Sequence, residues 1–217
     1  MDAGGLGRGR CAGRRSNGDR APADRARSRA KVNLLEVLRA VHSAADSPGA
    51  FAIIGAVARN AWAPPRATTD LDLTVLGDAA LLARVDSALA GLGYRSVREQ
   101  RADSAEALPD IKIFRCEGAE LRQVDILVAK TPFEEEVLRR APLVQVGTVE
   151  VPVASPEDLI VYKLLADRPR DREDIAAVVR TLGRGGRPLD WKHVERWARF
   201  WRIEDRCRRL LDQLDDT

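Results

Sequence analysis

Asp70 and Asp72 stand two apart in the segment Asp70-Leu71-Asp72-Leu73-Thr74-Val75, in which Leu71, Leu73 and Val75 are apolar. In an extended strand, side chains two apart share a face, so both carboxylates point one way while Leu71, Leu73 and Val75 point the other. Anionic groups held side by side on a rigid strand repel each other unless a cation lies between them, and hard oxygen ligands of this kind suit Mg²⁺. Upstream, the apolar run 51–54 turns at Gly55-Ala56 into a predicted helix over 57–62. Backbone N–H groups at a helix start lack intrahelical partners and sit at the positive end of the dipole, which suits them to phosphate oxygens. A phosphate cradle followed by a metal-binding strand points to a nucleoside triphosphate.

These parts, Gly55-Ala56 and Asp70-Leu71-Asp72-Leu73, resemble the signature of the nucleotidyltransferase superfamily, a small-residue turn followed by Asp-hydrophobic-Asp-hydrophobic. The approach Arg66-Ala67-Thr68-Thr69-Asp70 is similar to the branch that contains the abortive-infection (AbiEii-like) toxin-type nucleotidyltransferases. Ala56 departs from the family's second Gly or Ser, so the backbone must hold phosphate without a hydroxyl. The resemblance implies a third carboxylate on a neighbouring strand. Asp125, the one charge in Val124-Asp125-Ile126-Leu127-Val128, fits it, with Asp110 as the alternative. It also implies that Arg66 and Thr68 lie along the nucleotide; the alternative for Arg66 is a simple pairing with Asp70 or Asp72.

A second constellation begins at Ser155-Pro156-Glu157-Asp158. A serine cap, a proline at the first helical position and an acid three residues after the cap make a strong helix start. Lys163 is then the only charge between Leu159 and Ala166. A lone lysine on an apolar helix either snorkels to water or serves a ligand. The resemblance implies the second, with Lys163 steadying the triphosphate. It is followed by Arg170-Asp171-Arg172-Glu173-Asp174, where Asp171 and Asp174 are three apart and share a helix face. They orient Lys163 or the acceptor, or they pair with Arg168, Arg170 and Arg172.

The elements that must position these groups are legible from periodicity. Leu34, Leu35, Leu38 and Val41 predict a helix, as do Leu81, Leu82, Val85, Leu89 and Leu92; strand patterns occur at 111–114, 121–128 and 149–153. From Ser155 onward the chain reads as helices near 155–166, 170–182, 190–201 and 203–214. The expected fold is α+β, a nucleotidyltransferase-like mixed sheet flanked by helices, with a catalytic domain over 31–154 and a helical carboxy-terminal region over 155–217. Residues 1–30 hold eight Arg against Asp2, Asp19 and Asp24, with Leu6 the only large aliphatic, and are expected to be a disordered Gly/Ala/Arg-rich tail.

At 217 residues and 45% hydrophobic composition the chain can bury a real core. No apolar run reaches bilayer length and no secretory pattern appears, so no membrane association and a cytoplasmic location are expected. Cys11, Cys116 and Cys207 have neither disulfide-framework nor zinc spacing. Residues 180–209 carry ten Lys or Arg interleaved with Trp191, Trp197, Phe200 and Trp201, which suits an RNA such as tRNA. The competing reading puts Trp191, Val194, Ala198 and Trp201 in the core and leaves the arginines solvated. His42 and His193 show no sequence partners.

The resemblance therefore implies a nucleotidyltransferase using two Mg²⁺ ions, which moves a nucleoside monophosphate from an NTP to tRNA, a protein or a small molecule. Asp70, Asp72 and Asp125 would hold metal, and Gly55, Ala56, Arg66, Thr68, Lys163, Asp171 and Asp174 would line the nucleotide. The toxin-like branch adds a cognate antitoxin as partner. The alternative is a catalytically inactive nucleotidyltransferase-fold module that binds nucleotide or RNA.

Overall fold

The computed structural model describes residues 31–100 and 110–215. The expectation for the tail, residues 1–30, lies outside the described residues. Helix α1 (Leu34–Ala44) opens on a capping box: the Asn33 side chain accepts from the Glu36 N–H at 3.1 Å, and Glu36 accepts from the Asn33 N–H at 2.9 Å. This reciprocal satisfaction of orphan donors fixes where the helix starts. The chain then runs β1 (Phe51–Ile54), α2 (Gly55–Trp62), β2 (Asp70–Leu76), α3 (Ala79–Gly91), β3 (Arg95–Gln100), β4 (Asp110–Arg115) and β5 (Gln123–Ala129).

The five strands form one mixed sheet in the order β1-β2-β5-β4-β3. β2 and β5 are parallel and central, and the other pairs are antiparallel. The alternation seen in the sequence sorts the sheet into two faces. Leu71, Leu73, Val75, Val124 and Ile126 are buried with Val37, Leu38 and Val41 of α1 and Leu81, Val85 and Leu89 of α3. The opposite face carries Ala52 and Ile54 beneath α4 (Pro132–Arg140), α5 (Pro156–Ala166) and α7 (Trp191–Phe200), with Phe133, Ile160, Leu164 and Trp197 filling the layer. Asp70, Asp72 and Thr74 share that second face.

A hairpin of β6 (Leu143–Val146) and β7 (Val149–Pro152) leads into α5, whose cap is as expected: Ser155 Oγ accepts from the Asp158 N–H at 3.1 Å, and Pro156 occupies the first position. Helices α6 (Pro169–Arg184) and α8 (Glu204–Asp215) complete the carboxy-terminal layer. The sequence reading did not anticipate β3, α4 or β6. Among the described residues no helix is long and apolar enough to cross a membrane.

In α7 the core choice prevails over a stacking surface. Val194, Trp197 and Ala198 are buried, and Trp197 and Trp201 pack against Phe133 with ring centroids 5.1 and 6.3 Å away. Arg196 bonds Glu136 at 2.7 Å and lies over the Trp197 ring. Phe200, at 47% exposure, is the one aromatic of this stretch left open. His193 has a partner after all: its Nε2 is 2.6 Å from Asp158 Oδ1 in a buried network that Ser155 Oγ joins. The contact spans α5 and α7, so no local sequence pattern encodes it.

Candidate functional site

The site is assembled at the end of β2 where the chain enters it. In parallel register Asp72 faces Asp125 and Asp70 faces Gln123, so four polar side chains occupy one patch of one sheet face. Asp70 is exposed, and Asp72 and Asp125 are partly buried. The Gly55 turn lies against them. Gly55 has φ +65°, and a Cβ there would fall 2.6 Å from Asp72 Cγ, so only glycine allows this approach. α2 has no side-chain N-cap, unlike α1, α3, α4, α5 and α7. The Ala56 N–H at its start donates to Asp72 instead.

Electrostatics single out Asp72. Burial, and then the negative charge of Asp125, push its carboxyl up from 3.8 to about 6; the Ala56 N–H opposes this, Asp70 adds to it and Arg168 opposes it. Asp125 is also raised, first by burial, with its hydrogen bonds from Gln123 acting against the shift. Gln123 Nε2 donates to both Asp125 oxygens, at 2.9 and 3.0 Å. Among the described residues no three His, Cys, Asp or Glu side chains already close on one point as a metal cage. The fit to Mg²⁺ rests on chemistry: this ion binds through one or two carboxylates, retains water and takes phosphate oxygens, and a crowded carboxylate raised to about 6 is relieved by a cation.

The other expected residues form a second cluster. Lys163, buried, donates to Asp171 at 3.0 Å and to Asp174 at 2.7 Å. Arg66 reaches the same Asp174 bidentately, at 3.1 and 2.9 Å, and Arg59 Nε lies 3.2 Å from it. Burial pushes Asp174 up, but hydrogen bonds from Arg66 and Lys163 outweigh it and hold the carboxyl below its ordinary value. Asp171 also accepts from the Arg168 N–H at 3.2 Å, which starts α6. Of the readings open in sequence, the structure brings Asp171 and Asp174 to Lys163; Arg66 pairs with Asp174 and not with Asp70 or Asp72, a contact that a sequence separation of 108 residues hides.

Thr68 Oγ1 is engaged with the Asp70 backbone, accepting from its N–H at 3.2 Å, and Thr69 Oγ1 donates to Asp70 Oδ1 at 3.1 Å. Asp110 stands opposite Val128, three pairs along the sheet from Asp125, and Lys130 pairs with it at 2.7 Å. Asp125 is the residue that joins the Asp70–Asp72 patch.

Sequence reasoning missed Gln123 and Arg59 as parts of these clusters. Gln123 was within reach, because it lies two before Asp125 and must share its face. Arg59 meets Asp174 only through the packing of α2 against α6.

The chain is similar in fold to several solved structures. The antibiotic-resistance factor ANT(2″)-Ia in solution is 18% identical over 83% of this chain and 96% of that one, with a TM-score of 0.48. Its crystal structure in complex with adenylyl-2″-tobramycin gives 17%, 82%, 96% and 0.47. An antigenic nucleotidyltransferase-like protein from Paracoccidioides brasiliensis gives 18%, 69%, 78% and 0.40. No curated protein matches the chain. The family described as nucleotidyl transferase of unknown function (DUF2204) matches residues 34–214. With nearly every described residue inside that match, the chain belongs to this nucleotidyl transferase family and, through it, to the nucleotidyltransferase superfamily.

Proposed function

We propose that the protein is a Mg²⁺-dependent enzyme that transfers a nucleoside monophosphate from an NTP to an acceptor hydroxyl. The observation that supports it most is the joint placement of Asp70, Asp72 and Asp125 on one face against the Gly55 turn. Bound Mg²⁺ would neutralise charge on the triphosphate and on the departing pyrophosphate. Asp70 and Asp72 would hold it, with Asp125 serving a second ion. The N–H groups at Gly55 and Ala56 would receive phosphate oxygens, that of Ala56 in exchange for its bond to Asp72. Arg168, whose charge Asp72 senses, and Lys163, an ammonium with three donors of which two go to Asp171 and Asp174, would supply positive charge on the α6 side.

In the reaction the acceptor oxygen forms a bond to the α-phosphorus, and the bond from that phosphorus to the pyrophosphate oxygen breaks. The hydroxyl proton passes to Asp125, whose raised carboxyl is better suited to take it than an ordinary aspartate. Arg66, Asp171 and Asp174 act by fixing Lys163 and the approach to β2 rather than by touching the nucleotide, and Thr68 fixes the Asp70 backbone. Similarity of the Arg66–Asp72 and Lys163–Asp174 segments to the toxin-type branch supports a further reading as the toxin of a toxin–antitoxin pair, in the cytoplasm.

Calorimetry with α,β-methylene-ATP tests the reading. Binding that needs Mg²⁺ and is lost in Asp70→Asn and Asp72→Asn supports it. Metal-independent binding that both variants retain supports the inactive regulatory module.

A further inference from the structure

Beside the carboxylates, on the side formed by the end of β4 and the β4–β5 connection, lies a cleft of about 630 Å³ that includes Thr69, Asp70, Arg115, Arg122 and Gln123, with Lys31 at its edge. Its volume is in the range of small-molecule sites. Its walls are held in place by backbone bonds: the Arg122 N–H donates to Thr69 O at 2.7 Å, and the Cys116 N–H to Arg122 O at 3.1 Å. The connection is thereby pinned to the strand entry that carries Asp70.

The charges are unbalanced toward positive. Lys31, Arg115 and Arg122 line the cleft against Asp70 and Glu117, and the charge of Asp70 is directed to metal under the proposed function. The Arg115 guanidinium is held by Gln123 Oε1 at 3.0 Å, and the same Gln123 amide donates to Asp125. One side chain thus ties a cation in the cleft to the carboxylate that would receive the acceptor's proton. Arg122 is exposed, and its guanidinium has no side-chain partner among the described residues. Lys163 and Arg168, which would serve the triphosphate, come from α5 and α6 and line no part of this cleft.

We infer that this cleft is the acceptor site and that it takes a small hydroxyl compound bearing an anionic group, a phosphate or carboxylate, which Arg115 and Arg122 orient so that its hydroxyl lies at Asp125. The inference rests on the transferase reading and gives it a substrate class. Guanidinium groups bind phosphate and carboxylate through paired N–H donors, whereas a polycationic acceptor would meet like charge at three positions.

Titrations followed by NMR, with the full chain and without nucleotide, test it using ribose, ribose 5-phosphate and tobramycin as probes. Ribose 5-phosphate should bind about tenfold or more tightly than ribose, and tobramycin more weakly than either. In Arg122→Met the preference for the phosphorylated sugar should fall about tenfold. A second series adds saturating Mg²⁺ and α,β-methylene-ATP, and ribose 5-phosphate should still bind. Equal affinity for ribose and its phosphate, tighter binding of tobramycin, an unchanged preference in Arg122→Met, or displacement of ribose 5-phosphate by the nucleotide would each overturn the inference. Failure of the nucleotide itself to bind would count against the transferase reading, and the sugar titrations would still decide the charge preference of the cleft.

Discussion

A carboxyl raised to about 6 has a defined effect on stability. Asp72 binds its proton more tightly in the folded chain than in the unfolded one, where 3.8 applies. Stability therefore falls as pH rises from about 4 to about 6, and above that the full penalty stands, on the order of 3 kcal/mol. Asp72→Asn should accordingly raise the melting temperature of the metal-free protein at pH 8 and leave it nearly unchanged at pH 4. Mg²⁺, which needs the ionised form, should raise the wild-type melting temperature at pH 8, have little effect below pH 5, and have none on Asp72→Asn. Scanning fluorimetry across pH measures all of these; an Asn variant less stable at pH 8 would show that Asp72 is a structural residue. Gly55 makes a complementary case. Gly55→Ala places a methyl group against Asp72 at positive φ and should destabilise by about 1–3 kcal/mol. In an Asp72→Ala background the clash with the carboxyl group should vanish while the 2.8 Å approach to Cβ remains, so a double-mutant cycle by urea denaturation should show coupling on the order of 1 kcal/mol or more, and additivity would contradict the close approach.

At the scale of elements, Asp174 joins α2, α5, α6 and the segment before β2 through Arg59, Lys163 and Arg66. Removing one member of a buried ionic cluster leaves the rest uncompensated, so Asp174→Ala should cost about 3–5 kcal/mol in urea unfolding. A loss below about 1 kcal/mol would mean that the cations find solvent instead. The elements differ in how readable they were. β2 and α1 were plain because one face of each is apolar and the other polar, so the period itself carries the information, and β5 was plain as an apolar run. β3 was not, because Arg95–Gln100 is exposed on both sides and has no alternation to read. α4 had a usable signal that went unread: Thr131 and Glu134 form a capping box at the head of Pro132–Arg140. The Asp70–Asp72 pair and the Gly turn were legible because their chemistry is local. That Lys163 is gripped by Asp171 and Asp174, and that Gln123 grips Asp125, depends on which rotamers packing selects.

For the whole molecule, the arrangement divides cations between two sides of one carboxylate patch, with Lys163 and Arg168 on the α5–α6 side and Arg115 and Arg122 on the β4–β5 side. An in-line transfer needs donor and acceptor on opposite sides of the reacting phosphorus, and under the proposed function these two sides would receive them. The carboxy-terminal helices contribute mainly by packing: their tryptophans fill the layer over β1 and α4, so the basic residues there surround a core rather than a base-stacking surface. The most direct test of nucleotidyl transfer is to incubate the protein with Mg²⁺ and NTP labelled at either the α- or the γ-phosphate, in the presence of fractionated cell extract. The account predicts that α-label becomes attached to an acceptor while γ-label leaves as pyrophosphate, and that Asp70→Asn and Asp72→Asn each reduce transfer by on the order of a hundredfold or more. Transfer of the γ-label, or α-transfer that survives both substitutions, would contradict it.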